Sequence, residues 1–318
     1  MRFDFAPMEG LTDSVYRRLH HRYFGGVDRY YMPFFSPTVH RKLTARELRE
    51  LPEASSVPFT AVPQVLTRFP EDFFWAAGVC RDRGYPEVNL NLGCPSGTVT
   101  AKGKGSGMLS DPDGLDRFLE AIFRETPLNV SVKTRLGFRE PTEWERLLEI
   151  FNRYPIHELI LHLRTREEFY RGKAHWEWFP YAVKNSKNPL CFNGDIHIRA
   201  DAERIAREFP GIRGVMIGRG LIADPGMLLP QGTQVAALEQ FYDALLREYL
   251  TELGGSRNAM FRLKESWSYL LPRLSGCEKW GKRLRKATDL ETYRAVTGEI
   301  FQALKEKERS GPLPGAKR

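Results

Sequence analysis

Eight short apolar segments recur along the first 220 residues and alternate with stretches of helical periodicity. The apolar segments cover residues 3–6, 29–34, 59–66, 87–92, 129–136, 158–163, 189–192 and 214–217. Helices are predicted between them at residues 12–20, 70–82, 113–124, 142–153 and 198–208. Continuous apolar runs are typical of parallel strands that are buried on both faces. Eight alternating repeats of strand and helix therefore predict an α/β fold, a closed (β/α)8 TIM barrel.

A doubly wound open sheet is the competing fold. Such a sheet normally places a GxGxxG turn after its first strand, whereas residues 6–10 of this chain read APMEG. The barrel is therefore the favoured fold.

The composition excludes several classes of protein. No apolar run approaches the ~20 residues that a membrane-spanning helix needs, and residues 1–7 lack the apolar core of a signal peptide. A cytoplasmic protein without a membrane partner is expected. The four cysteines form no CxxC pair and the seven histidines show no HExxH spacing, so we predict no metal site.

One cysteine lies on a predicted turn directly after an apolar strand, in the sequence NLNLGCPS at residues 89–96. Gly93 and Pro95 restrict the backbone on either side of Cys94, and Asn91 offers both a donor and an acceptor. Residues 98–108, which we call the lid, contain three glycines and two lysines. This pattern suggests a proton donor beneath a closing loop. Taken alone, Cys94 could also be a nucleophile, a redox thiol or a packing residue.

The predicted strands end on polar residues almost without exception, and active sites of TIM barrels lie at the carboxyl ends of the strands. The residues at these ends are Pro7, Met8, Glu9, Gln64, Asn91, Cys94, Lys133, Arg135, His162, Arg164, Asn193, Gly194, Asp195, Gly218, Arg219 and Gly220. Polar groups at so many strand ends are hard to explain by packing, and they predict a catalytic site.

The loops after the last two strands favour a phosphate site. Asn193, Gly194 and Asp195 follow one strand, and Gly218 and Arg219 follow the next. Small residues let backbone N–H groups approach an anion, and TIM barrels often bind phosphate at these two loops. The alternative is a pair of glycine turns that only close the barrel. Burial of Lys133 would be costly without a nearby anion. His162 could contact the same anionic ligand, or it could be an ordinary core histidine.

Taken together, these motifs resemble the FMN-dependent tRNA-dihydrouridine synthases. The resemblance rests on APMEGLTD at residues 6–13, NLNLGCPS at 89–96, VKTRLG at 132–137, HLRTR at 162–166, NGDI at 193–196 and MIGRG at 216–220. It implies FMN as prosthetic group, NADPH as reductant and the reduction of one uridine in tRNA to 5,6-dihydrouridine.

The resemblance also implies a role for each matching residue. Cys94 matches the proton donor to carbon 5 of the uracil, while Asn91 and Arg135 match groups near the target base. The cofactor-binding positions are matched by Pro7, Met8, Gln64, Lys133, His162, Asn193, Gly194, Asp195, Gly218 and Arg219. A cysteine has a reference pKa of ~8.5 and keeps its proton at neutral pH; Lys133 is therefore expected to face the flavin rather than Cys94.

The domain prediction combines the barrel with the resemblance. Residues 1–232 form the FMN-binding barrel, residues 233–309 a helical tRNA-binding domain, and residues 310–318 a disordered tail. Residues 239–318 carry 16 Lys and Arg against 11 Asp and Glu. Five of the eight residues at 279–286 are basic and one is Trp280, a pattern that favours nucleic acid over membrane.

Two other hypotheses compete with a synthase that acts as a monomer on tRNA. One is a small-molecule FMN barrel oxidoreductase of the dihydroorotate or dihydropyrimidine dehydrogenase type, which would not need a basic helical extension. The other is a non-catalytic RNA-binding protein on a barrel scaffold.

Overall fold

A computed structural model of the chain, described over residues 1–274 and 278–310, confirms the barrel. All the strand pairs are parallel, and the sheet order is β3-β2-β1-β9-β8-β7-β6-β5-β4. The strands are β1 Arg2–Phe5, β2 Arg29–Tyr31, β3 Thr60–Val62, β4 Gln64–Val65, β5 Glu87–Leu92, β6 Asn129–Gly137, β7 Leu159–Thr165, β8 Leu190–Asn193 and β9 Gly214–Ile217.

The predicted strand at residues 59–66 is split into β3 and β4. Pro63 lies between them and has no N–H to donate to a ladder. β3 pairs with β2, and β4 pairs with β5. The two ends of the sheet are thus the two halves of one sequence segment, which makes the barrel nearly closed.

Helices follow most of the strands. They are α1 Ser14–Tyr23, α2 Ala45–Glu50, α3 Pro70–Asp82, α4 Gly97–Thr100, α5 Pro112–Glu125, α6 Glu143–Phe151, α7 Phe179–Asn185, α8 Arg199–Glu208, α9 Arg219–Ala223, α10 Val235–Glu252, α11 Ser256–Leu270, α12 Glu278–Lys286 and α13 Leu290–Ser310. The sequence patterns did not predict α2, α4, α7 and α9. Each has at most seven residues, which is too short for a clear apolar stripe.

The chain divides into two compact units. The barrel unit comprises Met1–Pro7, Asp28–Asp195 and Ala202–Ile217. The helical unit comprises Met8–Val27, Ile196–Asp201 and the chain from Gly218 onward. The helical unit therefore includes α1 as well as α9–α13. The domain boundary at residue 232 stays a prediction.

The barrel unit has an apolar layer in its interior and charged groups where its strands begin. Ala6, Tyr31, Val62, Ile160, Cys191 and Met216 form one buried cluster. At the amino ends of the strands, Arg2 donates to both oxygens of Asp4 at 2.9 Å and also bonds Glu158. Burial raises the pKa of Asp4 to about 6, although Arg2 opposes the shift. Pairing of these groups limits the cost of burying them.

The helical unit is held by aromatic packing and by one buried carboxylate. Phe241 of α10 contacts Tyr16 of α1 edge to face, with ring centroids 5.2 Å apart. Asp13 caps α1 by accepting from the Tyr16 N–H, and the same oxygen accepts from the Tyr249 hydroxyl at 2.9 Å. Trp267 of α11 stacks on Tyr242 at 4.2 Å. Aromatic contacts of this kind stabilise a small helical core.

Ser310 is the last residue of α13, and the rest of the predicted tail lies outside the described residues. No helix in the described ranges is both long and apolar enough to cross a membrane.

His20 generates a prediction about the acid stability of the helical unit. It is fully buried, and its Nε2–H donates to the Pro225 carbonyl at 3.0 Å. Burial lowers the pKa of His20 to about 3, below its unfolded value of 6.5. The neutral form therefore contributes stability above pH 6.5, and this contribution is lost progressively as the pH falls towards 3. We expect a loss on the order of 3 kcal/mol between pH 6.5 and 4 from this group.

The variant His20→Gln keeps an N–H donor and cannot be protonated. Urea unfolding at pH 7 and pH 4 should show a smaller decrease in unfolding free energy for His20→Gln than for the unchanged protein. Equal decreases in both proteins would contradict the assignment to His20.

Candidate active site

Cys94 lies on a turn that the side chain of Asn91 holds in place. Asn91 Oδ1 accepts from the backbone N–H of Gly93 at 3.1 Å and from that of Cys94 at 2.9 Å. Asn side chains commonly form such turns at the ends of strands. The Asn91 carbonyl oxygen is thus already bonded to the Cys94 turn. Contact between Asn91 and the substrate stays a prediction.

A chain of buried amides continues from Asn91 over the neighbouring strands β4, β5 and β6. Asn91 Nδ2 donates to Gln64 Oε1 at 2.8 Å, and Gln64 Nε2 donates to Asn89 Oδ1 at 2.7 Å. Asn89 Nδ2 in turn donates to Ser131 Oγ at 2.8 Å. Buried amides are costly unless they are bonded, so this network favours one arrangement of the side chains. Gln64, predicted to bind cofactor, is 1% exposed and orients Asn91.

The lid is packed against the Cys94 turn. The Cys94 carbonyl accepts from Ser106 N at 3.1 Å and from Ser106 Oγ at 2.8 Å. Gly105 has φ +57°, and a Cβ at this position would lie 2.9 Å from the Cys94 carbonyl. Only glycine accommodates this close approach without a shift of the backbone. The lid therefore forms one wall beside the thiol.

Two cations, Lys133 and Arg135, lie on β6 beside this turn. Register pairs Asn91 with Lys133 and Arg135 with His162. Arg135 is 1% exposed and donates to the carbonyls of Gly93, Thr165 and Phe169 at 2.7 to 2.9 Å. In the described part of the chain neither cation forms an ion pair with a carboxylate.

The electrostatics of these cations favour an anionic ligand. Burial, and then the Arg135 charge, lower the pKa of Lys133 to about 7. Burial is also the main cause that lowers the pKa of Arg135 to about 10. A nearby anion would reverse both shifts, because it stabilises the protonated forms. The residues present thus fit a group with negative charge next to Cys94.

Asp195 is a half-buried residue of the barrel unit. Its Oδ2 accepts from Arg164 Nη2 at 2.6 Å and from the Ala174 N–H at 2.7 Å. Arg164 also lies 3.5 Å from His162 Nε2. These contacts orient His162 and the loop after β7. Cofactor binding by Asp195 stays a prediction.

The remaining predicted cofactor positions fall in both units. Asn193 Nδ2 donates to the Met216 carbonyl at 2.8 Å, and Gly194 has φ +136°. Pro7 follows β1 in the barrel unit. In the helical unit the Met8 N–H donates to Thr12 Oγ1 at 2.9 Å. Gly218 precedes α9 there, and Arg219 is the first residue of that helix.

Tyr170 is a candidate site residue that the sequence patterns missed. Its ring lies 6.0 Å from that of His162, and the Arg135 guanidinium lies 5.2 Å from its centroid. The residue is 54% exposed, so part of an aromatic ring is accessible beside Arg135. The loop after β7 has neither helical nor strand periodicity, and its only sequence signal was the aromatic pair Phe169 and Tyr170.

Another cluster has the residue types of a metal site but is differently bonded. Asp4, Glu158 and Cys191 place potential ligand atoms within 4.8 Å of one another. Both carboxylates bond Arg2. These arginine contacts make the cluster a structural ion-pair network.

The helical unit presents a basic helix. Lys279, Lys282, Arg285 and Lys286 of α12 are exposed. Arg283 instead pairs with Glu299 of α13. Four exposed cations on one short helix make a surface that attracts a polyanion.

Comparison with known proteins assigns the family. The family model described as "Dihydrouridine synthase (Dus)" matches residues 4–252. The tRNA-dihydrouridine(16) synthase of Pseudomonas putida is 31% identical over 296 residues, covering 86% of this chain and 88% of that protein. A probable tRNA-dihydrouridine synthase of Staphylococcus aureus is 34% identical over 238 residues, covering 70% of this chain and 69% of that protein.

Among solved structures, a morphinone reductase variant superimposes with a TM-score of 0.50 at 11% identity, covering 71% of this chain and 85% of that one. This similarity concerns the barrel fold alone. The match over residues 4–252, together with relatives above 30% identity, leads to one conclusion: the chain belongs to the dihydrouridine synthase family.

Proposed function

We propose that this protein is a tRNA-dihydrouridine synthase that uses FMN and NADPH to reduce a uridine of tRNA in the cytoplasm. The observation that carries the proposal is the placement of Cys94. A partly exposed thiol, on a turn held by Asn91 and the lid, lies beside a strand that carries one buried cation, Arg135, and one half-buried cation, Lys133, neither with a carboxylate partner among the described residues. The family assignment and the names of the relatives support this function.

Lys133 and His162 are the barrel-unit residues that would hold the pyrimidine end of the flavin, and Asn193 and Gly194 would meet its phosphate. Arg135 would lie near the target base. When bound and reduced by NADPH, FMN supplies a hydride for carbon 6 of the uracil. Cys94 then delivers its proton to carbon 5. Asn91 accepts from the Cys94 backbone N–H, and Ser106 donates to the Cys94 carbonyl. The Cys94 backbone is therefore already fixed before the proton transfer.

A uracil in folded RNA must leave its stack to reach the barrel mouth, at a cost of a few kcal/mol. Tyr170 offers an exposed ring beside His162, and aromatic rings commonly stack on splayed bases. The exposed cations of α12 would bind phosphates of the same RNA. This basic helix favours an RNA substrate over the small-molecule alternative.

The position of the target uridine is suggested by one relative. The Pseudomonas putida protein, named for position 16, matches this chain over most of both sequences. Uridine 16 is therefore the first position to examine. Mass mapping of tRNA from cells that lack the gene should show loss of dihydrouridine at that position. Loss at a different position would refute position 16, and unchanged tRNA would refute the proposed function.

Removal of the thiol should separate cofactor binding from uridine reduction. We expect Cys94→Ala to retain FMN, because the thiol is not needed to hold the flavin. Uridine reduction should fall about 10²- to 10⁴-fold, the usual contribution of a general acid. Flavin absorbance of the purified protein and single-turnover reduction of tRNA measure the two effects.

Cys80→Ala is the matched control, because Cys80 is a fully buried thiol on α3. Its reduction rate should equal that of the unchanged enzyme. A Cys94→Ala variant that keeps a comparable rate would exclude Cys94 as the proton donor.

The Lys133 charge should set the reduction potential of bound FMN. Its pKa of about 7 means that Lys133 is partly neutral without an anion, and a reduced, anionic flavin should restore the ammonium. Lys133→Met should therefore lower the midpoint potential, by about 30 mV for each tenfold loss of preference for the reduced form. Lys133→Arg keeps a cation and should keep a potential near that of the unchanged enzyme.

Spectroscopic redox titration at pH 6 and pH 8 measures this effect. Without an anion, Lys133 loses its proton above about pH 7. At pH 8, reduction of the flavin should therefore be accompanied by proton uptake at Lys133 in the unchanged enzyme, and this uptake should be missing in Lys133→Met. Identical potentials in Lys133→Met and the unchanged enzyme would show that Lys133 does not face the flavin.

A further inference from the structure

Four cations gather around the lid on the barrel unit, separate from the basic helix α12. They are Arg41, Arg68, Lys102 and Lys104, and we call them the lid cations. Arg41, Arg68 and Lys102 are exposed, and Lys104 is half-buried. The carboxylate of Asp72 lies among them, and its Oδ1 is 3.9 Å from Arg41 Nε. Four positive charges against this carboxylate give the surface a local excess of positive charge.

Contacts within the barrel unit place these cations on one surface. A Cβ at Gly103 would lie 3.1 Å from Arg68 Nη1, so Arg68 lies against the lid. Lys104 Nζ donates to Ser36 Oγ at 3.0 Å, which joins the lid to the loop after β2 that carries Arg41. The charges of Asp72, Lys102 and Arg68 all act on Lys104. Elements far apart in sequence thus meet at one basic site.

An aromatic ring completes this surface. The Arg68 guanidinium lies 4.8 Å from the centroid of Phe69, and the Phe69 side chain is 45% exposed. Cations together with an exposed ring are typical of surfaces that bind single-stranded or looped RNA. A free anion would need the cations but not the ring.

We propose that the lid cations bind backbone phosphates of the RNA substrate and form a second RNA-binding surface, on the barrel unit itself. This inference rests on the proposed function, because it deepens the recognition of the same substrate. The lid joins this surface covalently to the Cys94 turn. Lys102 and Lys104 lie within four residues of Ser106, which donates to the Cys94 carbonyl. A phosphate bound at the lid cations therefore holds the lid against the Cys94 turn.

Salt dependence of binding provides the test. The double variant Arg68→Gln with Lys102→Gln removes two charges that make no ion pair among the described residues. Removal of one phosphate contact should reduce the slope of log K against log salt concentration by about 1. We therefore expect the slope for unmodified tRNA to fall by about 2 in the FMN-loaded double variant. The Michaelis constant for tRNA should rise at physiological salt, while that for NADPH should not change.

The matched control removes two exposed charges from outer helices, with Arg117→Gln on α5 and Lys184→Gln on α7. Its slope should match that of the unchanged enzyme. Ser106→Ala is a second comparison: it removes a bond to Cys94 and no charge, so it should lower kcat without changing the slope.

Three outcomes would overturn the inference. The first is a slope for Arg68→Gln with Lys102→Gln equal to that of the control. The second is a raised Michaelis constant for NADPH with an unchanged tRNA slope, which would assign the surface to the dinucleotide. If the double variant loses FMN or does not fold, the single variant Arg41→Gln, which lies outside the lid, replaces it. The third contradicting outcome is a salt slope for Arg41→Gln equal to that of the unchanged enzyme. Because binding is measured on unmodified tRNA, a protein that binds normally but reduces nothing would refute the proposed function and not this surface.

Discussion

The hydrogen bond from the Cys94 N–H to Asn91 Oδ1 organises the active end of the barrel. Asn91 can accept this bond only if its amide group points towards the turn, and the Gln64 carbonyl fixes that orientation by accepting from Asn91 Nδ2. Gln64 is oriented by Asn89. The proposed role of Cys94 as proton donor gains from this arrangement, because each amide in the chain already has its partner without a ligand.

Charge is distributed very differently at the two ends of the strands. Where the strands begin, Asp4 and Glu158 are bonded to arginines, and the charges are largely matched within the protein. Where they end, Lys133 and Arg135 have backbone carbonyls, an aromatic ring and thiols around them. The depressed pKa values of both groups reflect the cost of this arrangement. Strongly shifted pKa values cluster at functional sites, and a bound anion would supply the missing opposite charge here.

Much of the barrel was predictable because it depends on local patterns. The strands β5 and β9 and the helix α3 have the predicted bounds, since each apolar run or apolar periodicity ends at a clear turn or cap. The split at Pro63 could have been predicted from the missing N–H alone. The assignment of α1 to the helical unit could not, because it depends on contacts with α10, which lies more than 200 residues later in the chain.

The candidate site was predictable in its residue types but less so in its contacts. Strand ends indicate which residues meet at the mouth, because parallel strands end on the same side. They do not indicate that Gln64 accepts a hydrogen bond from Asn91, that Asp195 accepts one from Arg164, or that Ser106 donates one to Cys94. Those contacts depend on side-chain direction and on loop conformation. Tyr170 was missed for the same reason, since a loop residue shows no periodicity from which its position could be inferred.

Cations on two separate units have a consequence for substrate choice. A free uridine nucleotide carries few phosphates and can neutralise only one small group of charges. A folded RNA carries a phosphate at every residue, and in the proposed complex these phosphates would bind both α12 and the lid cations and release counterions from both. Linked contacts of this kind strengthen binding far more than either surface alone. In the proposed complex, a polymer that engages both groups of cations is therefore favoured over a free nucleotide, which can engage only one of them.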